Sequence, residues 1–194
     1  MTELRIHGRG GQGAVMAAEI LAAAMVKEET SVSCFPFFGQ ERRGAPVQAY
    51  VRYGAEKVRV RSRIYYPHIV MIMDARLANN PICYNGILSG GMVISNAPLE
   101  IVAAVAPAET STIVTLNANE IALEVMGKAI TNTAMLGCFA GATGAVKLET
   151  LKVALEDYFK GKVLKNNQDC MERGYHELKI YNRQSDGAFL LMEK

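Results

Sequence analysis

Gly8-Arg9-Gly10-Gly11-Gln12-Gly13 fits the spacing G-x-G-x-x-G, with extended residues at Leu4 and Ile6 before it and helix formers from Ala14 to Val26 after it. A strand, a glycine loop and a helix in that order make an anion site. Residues without a Cβ let the backbone turn tightly and approach a phosphate, and the helix start aims unpaired amides and its positive dipole end at that charge. Arg9 adds a guanidinium for a charge-assisted contact. The alternative is a structural turn that packs the first helix closely on the sheet. A classical NAD or FAD site is disfavoured, because its ribose-binding Asp or Glu belongs at the end of the second strand, roughly 20 residues past the loop. Here that strand reads Ser33-Cys34-Phe35-Pro36, and Glu28 and Glu29 precede it.

A second cationic element follows. Gly39-Gln40-Glu41-Arg42-Arg43-Gly44-Ala45-Pro46 is a polar turn between apolar strands. Arg42 and Arg43 beside Glu41 make either an anion clamp or a solvated turn with a local ion pair. The loop after the second strand of a doubly wound sheet opens on the same edge as the loop after the first, which raises the clamp to equal standing with the turn. Farther on, Lys57, Arg59, Arg61 and Arg63 alternate with Val58, Val60, Ser62 and Ile64. That alternation predicts a strand with a cationic face, either the exposed side of a hairpin or a docking surface for an acidic partner or a phosphate-bearing ligand.

Other chemistry is sparse. His7, His68 and His176 match no metal-binding spacing and are expected on the surface or at caps. Asp74, at the end of an apolar strand, sits where active-site residues sit in this architecture, yet capping of a helix at Ala75 is the first expectation. Asn79, Asn80, Asn96 and Asn117 also end or follow strands and are weaker candidates for lining the same crevice. Neither G-x-S-x-G nor G-K-[ST] occurs, which removes the common hydrolase and nucleoside triphosphatase designs. The four cysteines, Cys34, Cys83, Cys138 and Cys170, lie too far apart to form a C-x-x-C pair for zinc or an iron-sulfur cluster.

The elements that must position these groups alternate strand with helix. Extended segments are predicted at Ser31 to Phe38, Val47 to Tyr53 and Lys57 to Arg63, the last two joined as a hairpin at Gly54-Ala55. The short apolar runs Ile69 to Met73, Met92 to Ser95 and Thr112 to Leu116 read as central parallel strands. Helices are expected at Ala75 to Asn79, Ala118 to Met126, Asn132 to Ala142, Leu148 to Phe159 and Asn166 to Ile180. The fold class is α/β: a single Rossmann-like domain, a mostly parallel sheet with helices on both faces plus a β-hairpin. The domain is expected over residues 1–181, with 182–194 a tail whose Phe189, Leu190 and Leu191 dock on something, a partner among the candidates. With 194 residues, 50% hydrophobic, and a net charge of +2, the chain can bury a core unaided and lacks the basic excess of a nonspecific nucleic-acid binder. It has no apolar run of membrane-spanning length and no signal-peptide pattern at Met1 to His7, so a cytoplasmic protein is expected.

Three ordered stretches carry a resemblance: Arg5 to Leu21 (RIHGRGGQGAVMAAEIL), Phe35 to Arg52 (FPFFGQERRGAPVQAYVR) and Ile130 to Gly137 (ITNTAMLG). Together they resemble the gamma subunit of pyruvate:ferredoxin oxidoreductase, or pyruvate synthase, within the 2-oxoacid:acceptor oxidoreductases. The resemblance implies a heteromeric, cytoplasmic enzyme of anaerobic metabolism that converts a 2-oxoacid and coenzyme A to acyl-CoA and CO2. It places thiamine diphosphate, magnesium and [4Fe-4S] clusters on partner alpha, beta and ferredoxin-like delta subunits, with ferredoxin or an NAD-linked module as acceptor. Nucleic acid and membrane are not implied as partners. It further implies that Arg9, Gly10, Gly11, Gln12 and Gly13 border the phosphates of coenzyme A, with Arg42 and Arg43 nearby. Relatives acting on phenylglyoxylate, 2-oxoglutarate, branched-chain oxoacids or oxalate would share this loop. Outside the family, a free-standing dinucleotide-dependent dehydrogenase and a noncatalytic nucleic-acid binding module that uses the cationic strand are the rival readings, the latter opposed by the near-neutral charge and the lack of stacking aromatics from Arg59 to Arg63.

Overall fold

The computed structural model describes residues 1–37 and 45–192. Its eight strands are β1 (Thr2–Arg9), β2 (Ser31–Phe37), β3 (Pro46–Gly54), β4 (Ile69–Ile72), β5 (Gly91–Ser95), β6 (Thr110–Thr115), β7 (Lys179–Arg183) and β8 (Phe189–Leu191). They form one sheet in the order β2-β3-β1-β4-β5-β6-β7-β8. The centre, β1-β4-β5-β6, is parallel, and an antiparallel pair extends each edge. The helices are α1 (Ala14–Lys27), α2 (Leu99–Ala103), α3 (Ala118–Met126), α4 (Asn132–Thr143), α5 (Leu148–Leu155) and α6 (Gly161–Glu177).

The apolar run Ile69 to Met73 shows why the centre is parallel. Ile69, Met71 and Met73 point into one core while Val70 and Ile72 point into another. Only a strand covered on both faces can bury consecutive residues in this way. The first core lies beneath α1 and α3 to α6, where Leu151 and Leu155 of α5 are fully buried. The second lies beneath α2 and two 3-10 turns, Ala75–Leu77 and Pro81–Tyr84. The expected α/β domain is therefore present, with its long helices gathered on one face.

Two expectations need correction. First, Lys57 to Arg63 is not a strand. Its backbone is held by side chains instead of a ladder: Val58 N–H donates to Ser31 Oγ (2.9 Å), Ser33 Oγ–H donates to the Val60 carbonyl (3.2 Å), and Arg52 donates to the carbonyls of Ser62 (2.7 Å) and Arg63 (3.1 Å). Val47 to Tyr53 pairs antiparallel with β2, where Cys34 lies opposite Val51, and with β1 on its other side. Second, the helix expected at Asn166 to Ile180 begins earlier and ends at Glu177, and Ile180 lies in β7 opposite Val114. Ile113 and Val114 of β6 are fully buried, so that strand needs a ladder partner on its outer side, and β7 supplies it. Ser185 to Gly187 then turns the chain into β8. β3 runs antiparallel between β1 and β2, so β1 and β2 share a direction.

His7 also departs from expectation, since it is buried and not at the surface. It accepts a hydrogen bond from Arg5 Nε (3.0 Å), and burial, reinforced by the Arg5 charge, pushes its pKa down to about 3. The unfolded chain therefore takes up a proton near pH 6.5 that the folded chain refuses, and stability must fall as pH drops below that point. At about 1.4 kcal/mol per pH unit, denaturant unfolding at pH 5 should show a loss of about 2 kcal/mol relative to pH 6.5. His7→Gln should flatten that slope.

Candidate functional site

The parallel strands end together on one edge of the sheet, where ligands bind in open α/β folds. At the end of β1 the chain enters the glycine loop. Gly11 (φ +93°) and Gly13 (φ +78°) both lie in the left-handed region that side chains with a Cβ rarely adopt, so the loop needs glycine at these two positions. Gly13 is also the N-cap of α1, which has no side-chain cap and no acidic residue in its first turn. The positive end of a 14-residue helix is thus presented without an acidic residue in its own first turn.

Asp74 braces this loop from the end of β4. It is buried, and its carboxylate ion-pairs with Arg9 Nε (3.1 Å) and accepts a hydrogen bond from Gln12 Nε2 (2.8 Å). It also caps the 3-10 turn through the Arg76 N–H (2.9 Å) and binds the Arg76 guanidinium (2.9 Å). Burial acts to raise its pKa, but the hydrogen bonds from Arg76 and Gln12 and the Arg76 charge outweigh that and hold it below the ordinary carboxylate range. Two guanidiniums share this carboxylate, so the cluster keeps one unit of positive charge at the strand ends. The expected cap at Asp74 is present, and the buried brace comes in addition. Arg76 was not among the sequence candidates; the pattern Asp-x-Arg after an apolar strand is the signal that marks it.

The other candidates divide by what they touch. Gln12 folds back, with its Oε1 accepting from the Arg9 N–H (2.8 Å), and the Gly10 N–H donates to the Ala45 carbonyl (2.9 Å). Gly11 and Gly13 line an open cleft of about 370 Å³. Its walls are apolar at Met16, Met126, Ile130, Phe159 and Val163 and polar at Lys128, Asn132, Asn166 and Asn167. Asn132 opens α4 and lies against Gly13, where a Cβ at position 13 would sit 2.7 Å from its Nδ2. Two helix starts therefore meet at the cleft. Arg42 and Arg43 lie outside the described residues, but Ala45, bonded to Gly10, brings the end of their segment to the loop. Asn96 and Asn117 line a separate cleft of about 620 Å³ beyond β5 and β6. Both amides are used internally, Asn96 donating to the Met73 carbonyl (3.0 Å) and Asn117 capping α3.

The family model for pyruvate ferredoxin/flavodoxin oxidoreductase matches residues 3–177. The chain belongs to this family. A pyruvate/ketoisovalerate oxidoreductase common subunit gamma from Thermococcus kodakarensis is 42% identical over 183 residues, which cover 93% of this chain and 99% of that one. The gamma subunit of an NADH-dependent phenylglyoxylate dehydrogenase from Aromatoleum evansii is 42% identical over 189 residues, covering 97% and 100%. The crystal structure of the pyruvate oxidoreductase subunit PORC from Thermotoga maritima superposes with a TM-score of 0.83 at 33% identity, covering 92% of this chain and 97% of that one. Within the family the chain is a gamma subunit, a component of a heteromeric 2-oxoacid oxidoreductase.

Proposed function

We propose that this subunit serves a CoA-acylating 2-oxoacid:ferredoxin oxidoreductase in the cytoplasm, with pyruvate or a close 2-oxoacid as substrate. The complex takes a 2-oxoacid, coenzyme A and an oxidised acceptor to an acyl-CoA, CO2 and the reduced acceptor. Thiamine diphosphate with its magnesium supplies the decarboxylation chemistry on companion alpha and beta chains, and [4Fe-4S] clusters on a ferredoxin-like delta chain carry the electrons. This chain contributes scaffold and the edge of the coenzyme A site. Its apolar tail residues Leu190 and Leu191, exposed on β8, contact a companion subunit.

The observation that carries this reading is the uncapped glycine loop beside a net-positive Arg9-Asp74-Arg76 cluster, opening into a cleft with an apolar wall. Coenzyme A needs these features together: donors for phosphates and apolar surface for its uncharged arm. The charge-assisted contact from Arg9 is worth about 1.5–3 kcal/mol. In the assembled complex, Arg9→Ala should therefore weaken coenzyme A binding roughly 10- to 100-fold by calorimetry. Arg42→Ala is the parallel arm, and unchanged affinity in both removes these roles. A gamma subunit shared between pyruvate and ketoisovalerate enzymes in Thermococcus supports a second point, that substrate choice is made on other chains. The NADH-dependent relative keeps an NAD-linked acceptor as the alternative to ferredoxin.

A further inference from the structure

The segment from Glu56 to Tyr66 crosses the sheet face opposite α1 as an extended strap. Lys57, Arg59, Arg61 and Arg63 are all exposed on it, and among the described residues none has an ion-pair partner. Against Glu56 these four cations leave the strap at +3, so from the whole-chain charge of +2 the rest of the molecule carries a net −1. The positive charge of this protein is therefore concentrated on a strap that the described carboxylates leave unneutralised.

The strap is also unusually well fixed for a segment outside the ladder. Two buried arginines reach up from the sheet to hold its carbonyls: Arg52 binds Ser62 and Arg63, and Arg5 binds Ile64 (3.3 Å) and Tyr65 (3.5 Å). Arg5 also donates to the carbonyls of Cys83 (3.1 Å) and Asn85 (2.7 Å), which ties the strap to the 3-10 turn at Pro81–Tyr84. Arg63 lies over the Phe37 ring at 3.5 Å. Beside this clamp Tyr65, Tyr66 and Ile82 are each about two-thirds exposed. A surface ordered in advance avoids the entropy loss that a mobile segment suffers on association, and an aromatic group flanked by unpaired cations is the composition of an interface.

From this arrangement we infer that the strap is a docking surface for a carboxylate-rich face of a companion subunit, with Tyr65, Tyr66 and Ile82 as its apolar contact. The inference needs only the membership of a heteromeric complex and is independent of the coenzyme A site. The test is the triple variant K57E/R59E/R61E, co-expressed with the companion subunits, with association measured on the purified full chain. Among the described residues these side chains make no ion pair, so circular dichroism and Tm should match wild type. The variant should bind the companions roughly 100-fold more weakly, and R59K/R61K should bind as wild type does. Wild-type association should weaken steeply between 50 and 500 mM salt. A charge-reversed chain that assembles with unchanged affinity would overturn the inference. So would salt-sensitive retention of the wild type on duplex DNA with assembly untouched, because the cations would then serve a nucleic acid.

Discussion

Gly137→Ala should destabilise the chain by at least about 3 kcal/mol, a fall in Tm of roughly 6 to 12 °C for a domain of this size, or leave it insoluble. The reason is a crossing of α4 and α6 at backbone contact. A Cβ at position 137 would overlap the Met171 carbonyl oxygen and lie 2.8 Å from its carbonyl carbon, and a Cβ at position 174 would overlap the Ala134 carbonyl in the same way. Glycine on each helix thus meets the backbone of the other. Residues Asn132 to Ala140 of α4 are all buried, so the helix has no free side toward which to move. Gly141→Ala is the milder comparison. Its Cβ would meet the Leu178 Cδ2 at 2.6 Å, a side chain that can rotate, and the Tyr175 carbonyl at 2.8 Å. Thermal melts of both variants should rank 137 well below 141. A shift at 137 of under 2 °C would mean that the two helices are not held at this distance. The crossing matters for the site as well, because the spacing of α4 fixes where Asn132 meets Gly13.

That crossing was not legible in the sequence. Ala134 to Ala142 is apolar on every side, and nothing in such a run tells a packing glycine from a tolerated one. What could be read was whatever rests on local physics. The glycine loop declared itself because φ beyond +20° excludes nearly every other residue type, and α3 at Ala118–Met126 matched its expectation because Asn117 caps it and Gly127 closes it. Legibility failed where a distant group decides local structure. Lys57 to Arg63 alternates as a strand does, but Ser31, Ser33 and Arg52 satisfy its backbone from elsewhere in the chain. Ile180 continues a helical pattern, yet the demand of β6 for an outer partner takes it into the sheet. Arg5, in an extended segment, gives no local sign that it will be buried beneath a strap it holds through carbonyl oxygens. For the candidate site, the loop was readable and its brace only half so. Asp74 could be read as a cap, but its contact with Arg9 joins the ends of β1 and β4, a neighbourhood that only the sheet order reveals.

Asp74→Ala should be the most damaging single change at the candidate site. The carboxylate holds Arg9 and Gln12 of the loop and Arg76 of the turn, and removing one partner of a buried pair costs about 3–5 kcal/mol because the remaining charge loses its compensation. Arg9 keeps 29% and Arg76 73% of its side chain in solvent, so water takes over part of that compensation and the loss falls at or below the low end of that range. With the brace gone, the loop no longer keeps its guanidinium and its uncapped helix start in one geometry. Coenzyme A binding by the assembled complex should then weaken about 100-fold, more than Arg9→Ala achieves alone. Asp74→Asn separates charge from shape. Its amide oxygen can still cap the Arg76 N–H, so the turn should persist and Tm should fall less, while the loss of charge frees both guanidiniums. The pH dependence distinguishes this brace from His7. The folded pKa of Asp74 is depressed, so its contribution is present above the unfolded carboxylate value near 3.9 and disappears as pH falls through the folded value. The slope between pH 6.5 and 5 should therefore survive in Asp74→Asn and vanish in His7→Gln. Below pH 4, Asp74→Asn should lack the carboxylate component that His7→Gln keeps, and should retain the His7 slope that runs on to about pH 3. If Asp74→Ala left coenzyme A affinity intact while lowering Tm, the loop would be a packing turn and the anion would have to be held elsewhere.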